Sequence, residues 1–256
     1  MPFITAGDPD LATTARILPA LQAAGASIVE LGFPFSDPVA DGPVVQASMT
    51  RALQRNIRVR DIFATVRQLR DQLSIGVVAM VSYSIVHRIG VQSFIAQAKE
   101  AGIDGFIFPD LPLEESDAVL GHVRDVGLIA SLLIAPSTPI ERAERIAAAC
   151  TGFIYLLSRA GITGEQPTLA PELPGVVQRL RGVTDLPIAV GFGISNAEQV
   201  RQVTRVADAA IVGSAIVRRI AEHQDQGTDV IVREVEQFVR TLTSGLTAQP
   251  NALQAG

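Results

Sequence analysis

The sequence predicts an α/β fold of the (β/α)₈, TIM-type barrel class in a single domain, and three observations predict it. Short apolar runs rich in β-branched residues alternate with helix-period segments along the chain. Most of these runs are apolar on both faces, as strands of a buried parallel sheet are. Eight such runs occur, and 256 residues is an ordinary length for one barrel. A doubly wound open sheet is the alternative, but the eight runs show no clear reversal point.

In order, the strand candidates are PFITAG (2–7), SIVELG (27–32), GVVAMVS (76–82), GFIFPD (105–110), IASLLIAP (129–136), GFIYLLS (152–158), PIAVGFG (187–193) and AAIVGSA (209–215). The segments between them open on helix caps or prolines. The first, DPDLATTARILPALQAAG, has Asp8 and Pro9 at its start and Gly25 past its end. PDLPLEESDAVLGHVRDVG and PSTPIERAERIAAAC open in the same way. The endings QAAGAS and KEAGID each place a glycine where a left-handed C-cap precedes the next strand, a weak repeat of βα units.

Spacing adds to this. Most strand starts lie 22 to 29 residues apart, but the second unit takes 49 and the sixth 35. The extra length belongs in βα loops or added helices, on the face where barrels carry their chemistry. VELGFPFSDPVADGP (29–43) opens the first long unit, and SRAGITGEQPTLAPEL (158–173) lies in the second. The expected barrel domain is 1–242, followed by a small, polar, disordered tail at 243–256. The chain begins almost inside the first strand, so the barrel floor is expected to be less covered.

Composition excludes several classes. The net charge is −5 with no Lys/Arg cluster, which argues against a nucleic-acid binder. Cys150 is the single cysteine and closes a helical segment, so it reads as a packed structural thiol in a reducing compartment. There is no charged-then-apolar leader and no run of eighteen apolar residues, so a soluble cytoplasmic protein is expected. His122 and His223 sit among charged neighbours in helical patterns. His87 follows the third strand without an obvious partner. No metal-ligand spacing, G-x-S-x-G elbow or strand-end lysine appears. Carboxylates remain as the acid–base groups.

In SIVELG, alternation puts Ile28 and Glu30 on one face and Val29 and Leu31 on the other. If Glu30 points inward it sits desolvated at the barrel mouth, where a raised pKa suits a proton shuttle. The competing reading is a loop cap or a partner for an arginine. Asp37 and Asp41, in a Pro/Gly loop, fit ordinary turn chemistry equally well. Strand seven ends GFGIS (191–195), with Ser195 as the expected N-cap of the next helix. Strand eight runs into Gly213 and Ser214 at the opening of another. Glycines and helix N-termini at these two strands favour a phosphate site. No GxGxxG or Walker sequence points to a dinucleotide or a nucleoside triphosphate.

These residues together resemble the tryptophan synthase α-subunit family. The resemblance runs from Pro2 to about residue 240. It is carried by PFITAGDP (2–9), VELGFPFSDPVADGP (29–43), FPDLPLEE (108–115), YLLSRAGITG (155–164), GFGIS (191–195) and GSAIV (213–217). It implies a (β/α)₈ lyase that cleaves indole-3-glycerol phosphate to indole and glyceraldehyde 3-phosphate in tryptophan biosynthesis. It implies no cofactor in this chain and a pyridoxal-phosphate β subunit as partner in an α2β2 heterotetramer. By motif, Glu30 is the general acid–base and Asp41 accepts or stabilises the indole N–H proton. Phe3, Tyr155 and Phe192 border the indole, and Gly164, Gly193, Gly213 and Ser214 hold the phosphate. Thr163 meets Asp41 on lid closure, while Asp37, Pro38 and Arg159 serve loop order and the β-facing surface.

Two departures stand out. The family's short stretch before PFITAG is lacking, and VSYSIVHRIG (81–90) replaces its Tyr–Asn–Pro-like segment, with Ser84 in place of an asparagine. Two other readings stay open: a stand-alone indole-3-glycerol-phosphate lyase, and a catalytically silent regulatory barrel subunit.

Overall fold

The computed structural model describes residues 1–38, 41–158, 170–191 and 193–246. Strands β1 (Phe3–Thr5), β2 (Ile28–Gly32), β3 (Gly76–Met80), β4 (Gly105–Ile107) and β5 (Ile129–Ser131) pair in sequence order, all parallel. A second run joins β6 (Leu133–Ile134), β7 (Ile154–Leu157), β8 (Ile188–Gly191) and β9 (Ala209–Ile211), again all parallel. Pro2 bridges Val212 in parallel, and the Phe3 N–H donates to Val212 O at 2.9 Å, joining the last strand to the first. β5 and β6 are two halves of the fifth barrel strand, so the barrel has eight staves. Residues 129–136 read as one strand in the sequence, yet the strand is interrupted at Leu132. The Leu132 N–H turns away from the ladder and donates to Cys150 Sγ at 3.2 Å.

The first helix, α1 (Leu11–Ala23), starts two residues later than its Asp-Pro signal suggests. Asp10 is its N-cap, accepting from the Thr13 N–H at 2.6 Å, while Asp8 turns elsewhere. The long second unit holds two helices, α2 (Pro43–Gln54) and α3 (Val59–Leu69). α4 (Tyr83–Ile89) and α5 (Val91–Ala101) follow β3, and α6 (Asp117–Asp125) follows β4 after a short 3₁₀ turn. α7 (Ile140–Ala149) and α8 (Leu173–Arg181) follow β6 and β7. α9 (Ala197–Thr204) follows β8, and α10 (Ser214–Glu222) and α11 (Thr228–Thr243) complete the ring. The α9 N-cap is Asn196, not Ser195: the Asn196 side chain accepts from the Gln199 N–H, and Gln199 Oε1 accepts from the Ser195 N–H. α11 packs along α1, and Thr243 Oγ1 donates to Ala24 O at 2.9 Å. Gly25 and Gly102 adopt φ of +91° and +87°, as the two repeated endings require.

Two apolar layers hold the fold. The outer one lies between strands and helices and contains Val29 and Leu31. Within it, the rings of Phe33, Phe63, Phe94 and Phe106 stand 5.3 to 6.1 Å apart, pinning α3 and α5 to the sheet. The inner layer fills the barrel with Val78, Ile107, Phe153, Tyr155, Ala189 and Ile211. The βα repeat is also visible at the floor. Asp104 accepts from the Val77 N–H and pairs with Arg70; Asp208 accepts from the Ile188 N–H and pairs with Arg181. Each aspartate thus stitches its own strand to the preceding strand and to the helix end before it, four strands apart. Among the described residues no helix is long and apolar enough to cross a membrane.

Candidate active site

Period-two alternation in β2 places Glu30 on the inner face of the barrel, level with Phe3 on β1 and Val78 on β3. Glu30 is fully buried, and neither carboxylate oxygen has a hydrogen-bond partner among the described residues. Burial disfavours its charged form and pushes its pKa up to about 8, against a smaller opposing pull from the Met1 ammonium. The competing sequence reading, a loop cap or arginine partner, finds no such contact. A buried acid with no partner is poised to exchange a proton with something that enters the barrel.

Asp41 ends the loop after β2. Its backbone is held in a turn by the Asp41 N–H to Pro38 O bond of 3.0 Å, and the Gln46 amide donates to Asp41 O at 2.7 Å. The residue is half-buried, and burial raises its carboxyl to about 6. Tyr155, on β7, links the two acids: the charges of both Glu30 and Asp41, after burial itself, push its phenol well above its ordinary range. Glu30, Asp41 and Tyr155 therefore share one electrostatic neighbourhood at the barrel mouth.

Phe3 is buried and forms the adjoining wall with Val45 and Met49 of α2 and Val217 of α10. A Cβ at Gly191 would lie 2.9 Å from Tyr155 Oη, and one at Gly32 would lie 2.5 Å from Phe3 Cζ. Both rings therefore sit against bare backbone. Gly193 has φ of +80°, a conformation that suits glycine after β8. Gly213 is the N-cap of α10, and Ser214 is its first residue. The first N–H groups of α9 and α10 have no intrahelical acceptor, so neighbouring helix N-termini present donors and positive dipole ends at the mouth.

Asp37 is exposed and Pro38 half-buried. With Asp41, Met80, Ser82 and Asp110 they line a cleft of about 400 Å³ beside the mouth. Ser84 lines the same cleft, and His87 is exposed on α4 with its ring 5.9 Å from that of Tyr83. A second cavity, about 370 Å³ and mainly apolar, opens at the floor between Ile28, Phe153, Val239 and Leu246. It lies at the N-terminal strand ends, opposite the loops that bear Asp41 and Gly193. Arg159, Thr163, Gly164 and Phe192 lie outside the described residues, as does the tail from 247 onward.

The family model described as tryptophan synthase alpha chain matches residues 1–247. The chain belongs to the tryptophan synthase alpha chain family. It is 46% identical to the tryptophan synthase alpha chain of Acaryochloris marina, over 96% of this chain and 91% of that protein. With the alpha chain of Rippkaea orientalis it shares 47% identity over 87% of this chain and 84% of that one. Among solved structures it resembles the tryptophan synthase a2b2 complex of Pyrococcus furiosus, whose subunits activate each other. The TM-score is 0.86 at 35% identity, covering 95% of this chain and 96% of that chain. An aminoacrylate-bound tryptophan synthase from M. tuberculosis matches with a TM-score of 0.84 at 30% identity, covering 95% and 91%.

Sequence reasoning missed several groups around this alpha-chain site. Ser48 and Arg51 on α2 drew no reading in the sequence, and Asp8 read as the start of the first helix. The aliphatic wall of Val45, Met49 and Met80 carried no motif at all. The clue available was the i, i+4 spacing of Val45 and Met49 shortly after Asp41; Met80 closes β3 and had no such clue.

Proposed function

We propose that Glu30 and Asp41 divide the proton traffic of indole-3-glycerol phosphate cleavage, the lyase reaction of this family. The observation that carries this reading is the fully buried, unpartnered Glu30 carboxyl, raised to about 8, and an Asp41 raised only to about 6, both acting on the same Tyr155 phenol. Near neutral pH the first is mainly protonated and the second mainly ionised, so one site holds an acid and a base.

In the proposed sequence Glu30 gives its proton to indole C3. The Asp41 carboxylate takes or stabilises the N1 proton as the indolenine forms. The ionised Glu30 then removes the proton of the glycerol hydroxyl next to the indole. The C–C bond breaks, its electrons return to the ring, and the aldehyde of glyceraldehyde 3-phosphate forms. Asp41 returns the N1 proton, and both carboxyls end as they began. Phe3, Tyr155 and Phe192 border the indole; Gly164, Gly193, Gly213 and Ser214 receive the phosphate; and Thr163 meets Asp41 when the lid closes. This chemistry asks only for acid–base groups, so the chain needs no cofactor of its own. Residues 1–242 form the working barrel, and the setting is the cytoplasm.

The partner is a pyridoxal-phosphate β subunit in an α2β2 assembly. The a2b2 relative from Pyrococcus furiosus supports this, as does an exposed loop bearing Asp37 and Pro38, with Arg159 as its expected companion. Indole release from indole-3-glycerol phosphate, with and without the β subunit, tests the reading. Glu30→Gln is expected to abolish cleavage while substrate still binds; wild-type turnover in that variant would refute its role. Strong activity that β leaves unchanged would favour a stand-alone lyase.

A further inference from the structure

Asp8, in the loop after β1, is 2% exposed, a depth at which an unpaired carboxylate is strongly unfavourable. Arg51 of α2 meets it with two hydrogen bonds, Nε to Oδ1 and Nη2 to Oδ2, each 2.8 Å. Such a bidentate pair fixes angle as well as distance. On the same side of α2, Ser48 Oγ lies 2.6 Å from Thr5 Oγ1, with both residues buried, and Val45 and Met49 pack on Phe3. Helix α2 is thus fastened to β1 and its loop along most of its length.

What the fastening controls lies at the helix start. Gly42 is the N-cap and Pro43 the first residue, so Asp41 is one residue from the cap. Gln46, in the first turn, donates to Asp41 O at 2.7 Å and to Pro38 O at 3.4 Å. Ten residues separate the end of β2 at Gly32 from the start of α2 at Pro43, a span over which Asp41 needs such an anchor to be well located. Glu30 is on the other side of the same frame, because Phe3 pairs with it in register. A continuous path of contacts runs from Glu30 through β1 and α2 to Asp41.

We infer that Asp8 and Arg51 are positioning residues: their ion pair, with the Thr5–Ser48 contact, sets where Asp41 stands relative to Glu30. This rests on the reading of Asp41 as the group that takes the indole N–H proton, and the pair acts only through Asp41.

The test is steady-state cleavage of indole-3-glycerol phosphate by the full chain across pH 5 to 9, for wild type, Arg51→Met, Arg51→Lys and Asp41→Asn. Arg51→Met is expected to lower kcat about 100-fold, the scale of a misplacement of about 1 Å. KM should move by less than about threefold, because the pair does not touch the phosphate glycines. The acid limb of kcat/KM should shift from near pH 6 towards the ordinary carboxylate range as Asp41 gains solvent. Arg51→Lys keeps the charge without the fork and should recover part of the loss. A purely structural role would reduce the amount of active enzyme and leave the limb in place. Unchanged kcat in Arg51→Met, or a lowered kcat with an unmoved limb, overturns the inference. If Arg51→Met does not fold, Asp8→Asn carries the same expectations and the same refuting results. Wild-type turnover in Asp41→Asn would instead overturn the underlying reading, whereas a crippled Asp41→Asn beside an unaffected Arg51→Met overturns the positioning role alone.

Discussion

Replacing Glu30 by glutamine should change stability in a way that depends on pH, and the size of the change follows from burial. The folded carboxyl sits at about 8 against an ordinary 4.5, so the folded state keeps a proton that the unfolded chain gives up between those values. Stability therefore falls as pH rises across that window: the penalty is absent below about pH 4.5 and complete above about pH 8. At about 1.4 kcal/mol per pH unit, it reaches about 3 kcal/mol at pH 7 and about 5 kcal/mol at pH 8.5. Glutamine has the same shape and no charge, so Glu30→Gln escapes the penalty. The buried amide has a desolvation cost of its own, but that cost is the same at every pH. Urea denaturation followed by circular dichroism from pH 5 to 9 would measure the difference between variant and wild type. The expected result is a difference that grows by about 4 kcal/mol in favour of Glu30→Gln from pH 5 to 8.5. A constant difference over that range would show that Glu30 is ionised throughout, and the assignment of Glu30 as the acid would fall with it.

Further expectations follow from the same geometry. The kcat/KM profile should be bell-shaped, falling below about pH 6 as Asp41 protonates and above about pH 8 as Glu30 ionises. Asp41→Asn should cost about 100-fold or more in kcat at pH 7 and remove the acid limb, read by indole release. Gly193→Ala forces a side chain into φ of +80°, a strain of about 1–2 kcal/mol, and should raise KM for the phosphate substrate more than it lowers kcat. An unchanged KM would argue against Gly193 as part of the phosphate cradle. The Cys150 thiol, buried and raised to about 11, should stay unreactive towards a thiol reagent in the native state at pH 8. Cys150→Val leaves the Leu132 N–H without its acceptor and should destabilise by about 1–3 kcal/mol in urea.

Much of the fold was legible because strands and helices leave periodic traces. Val29 and Leu31 against Ile28 and Glu30 is a period-two pattern, and it correctly placed one carboxyl inside the barrel. Asp8, Pro9 and Asp10 offered two aspartates for one cap, and local rules alone do not choose between them. The choice is made by Arg51, 43 residues away, which claims Asp8 and leaves Asp10 to α1. The Ser195–Asn196 displacement has a similar origin: both residues can cap, and Gln199 binds the backbone of one and the side chain of the other. The break at Leu132 is set by a sulfur at the end of the following helix, eighteen residues on. Contacts of this span have no sequence period to betray them.

The burial that makes Glu30 unfavourable for stability is also what its proposed role requires. A hydrogen-bond donor beside the carboxylate would stabilise the charged form, lower the pKa and leave Glu30 ionised at neutral pH, unable to protonate a carbon. Solvent would do the same. The inner wall around it instead supplies Val78, Phe3 and the bare backbone of Gly32. Asp41 sits on a loop and is only half-buried, so it stays near 6 and ionised. Strand against loop, rather than residue type, separates the two acids. On this argument a single donor placed within reach of Glu30, for instance by Val78→Thr, should lower its pKa, move the basic limb of kcat/KM below pH 8 and recover stability at high pH. A limb that does not move while a structure of the variant shows the new hydrogen bond would refute the account of burial as its cause.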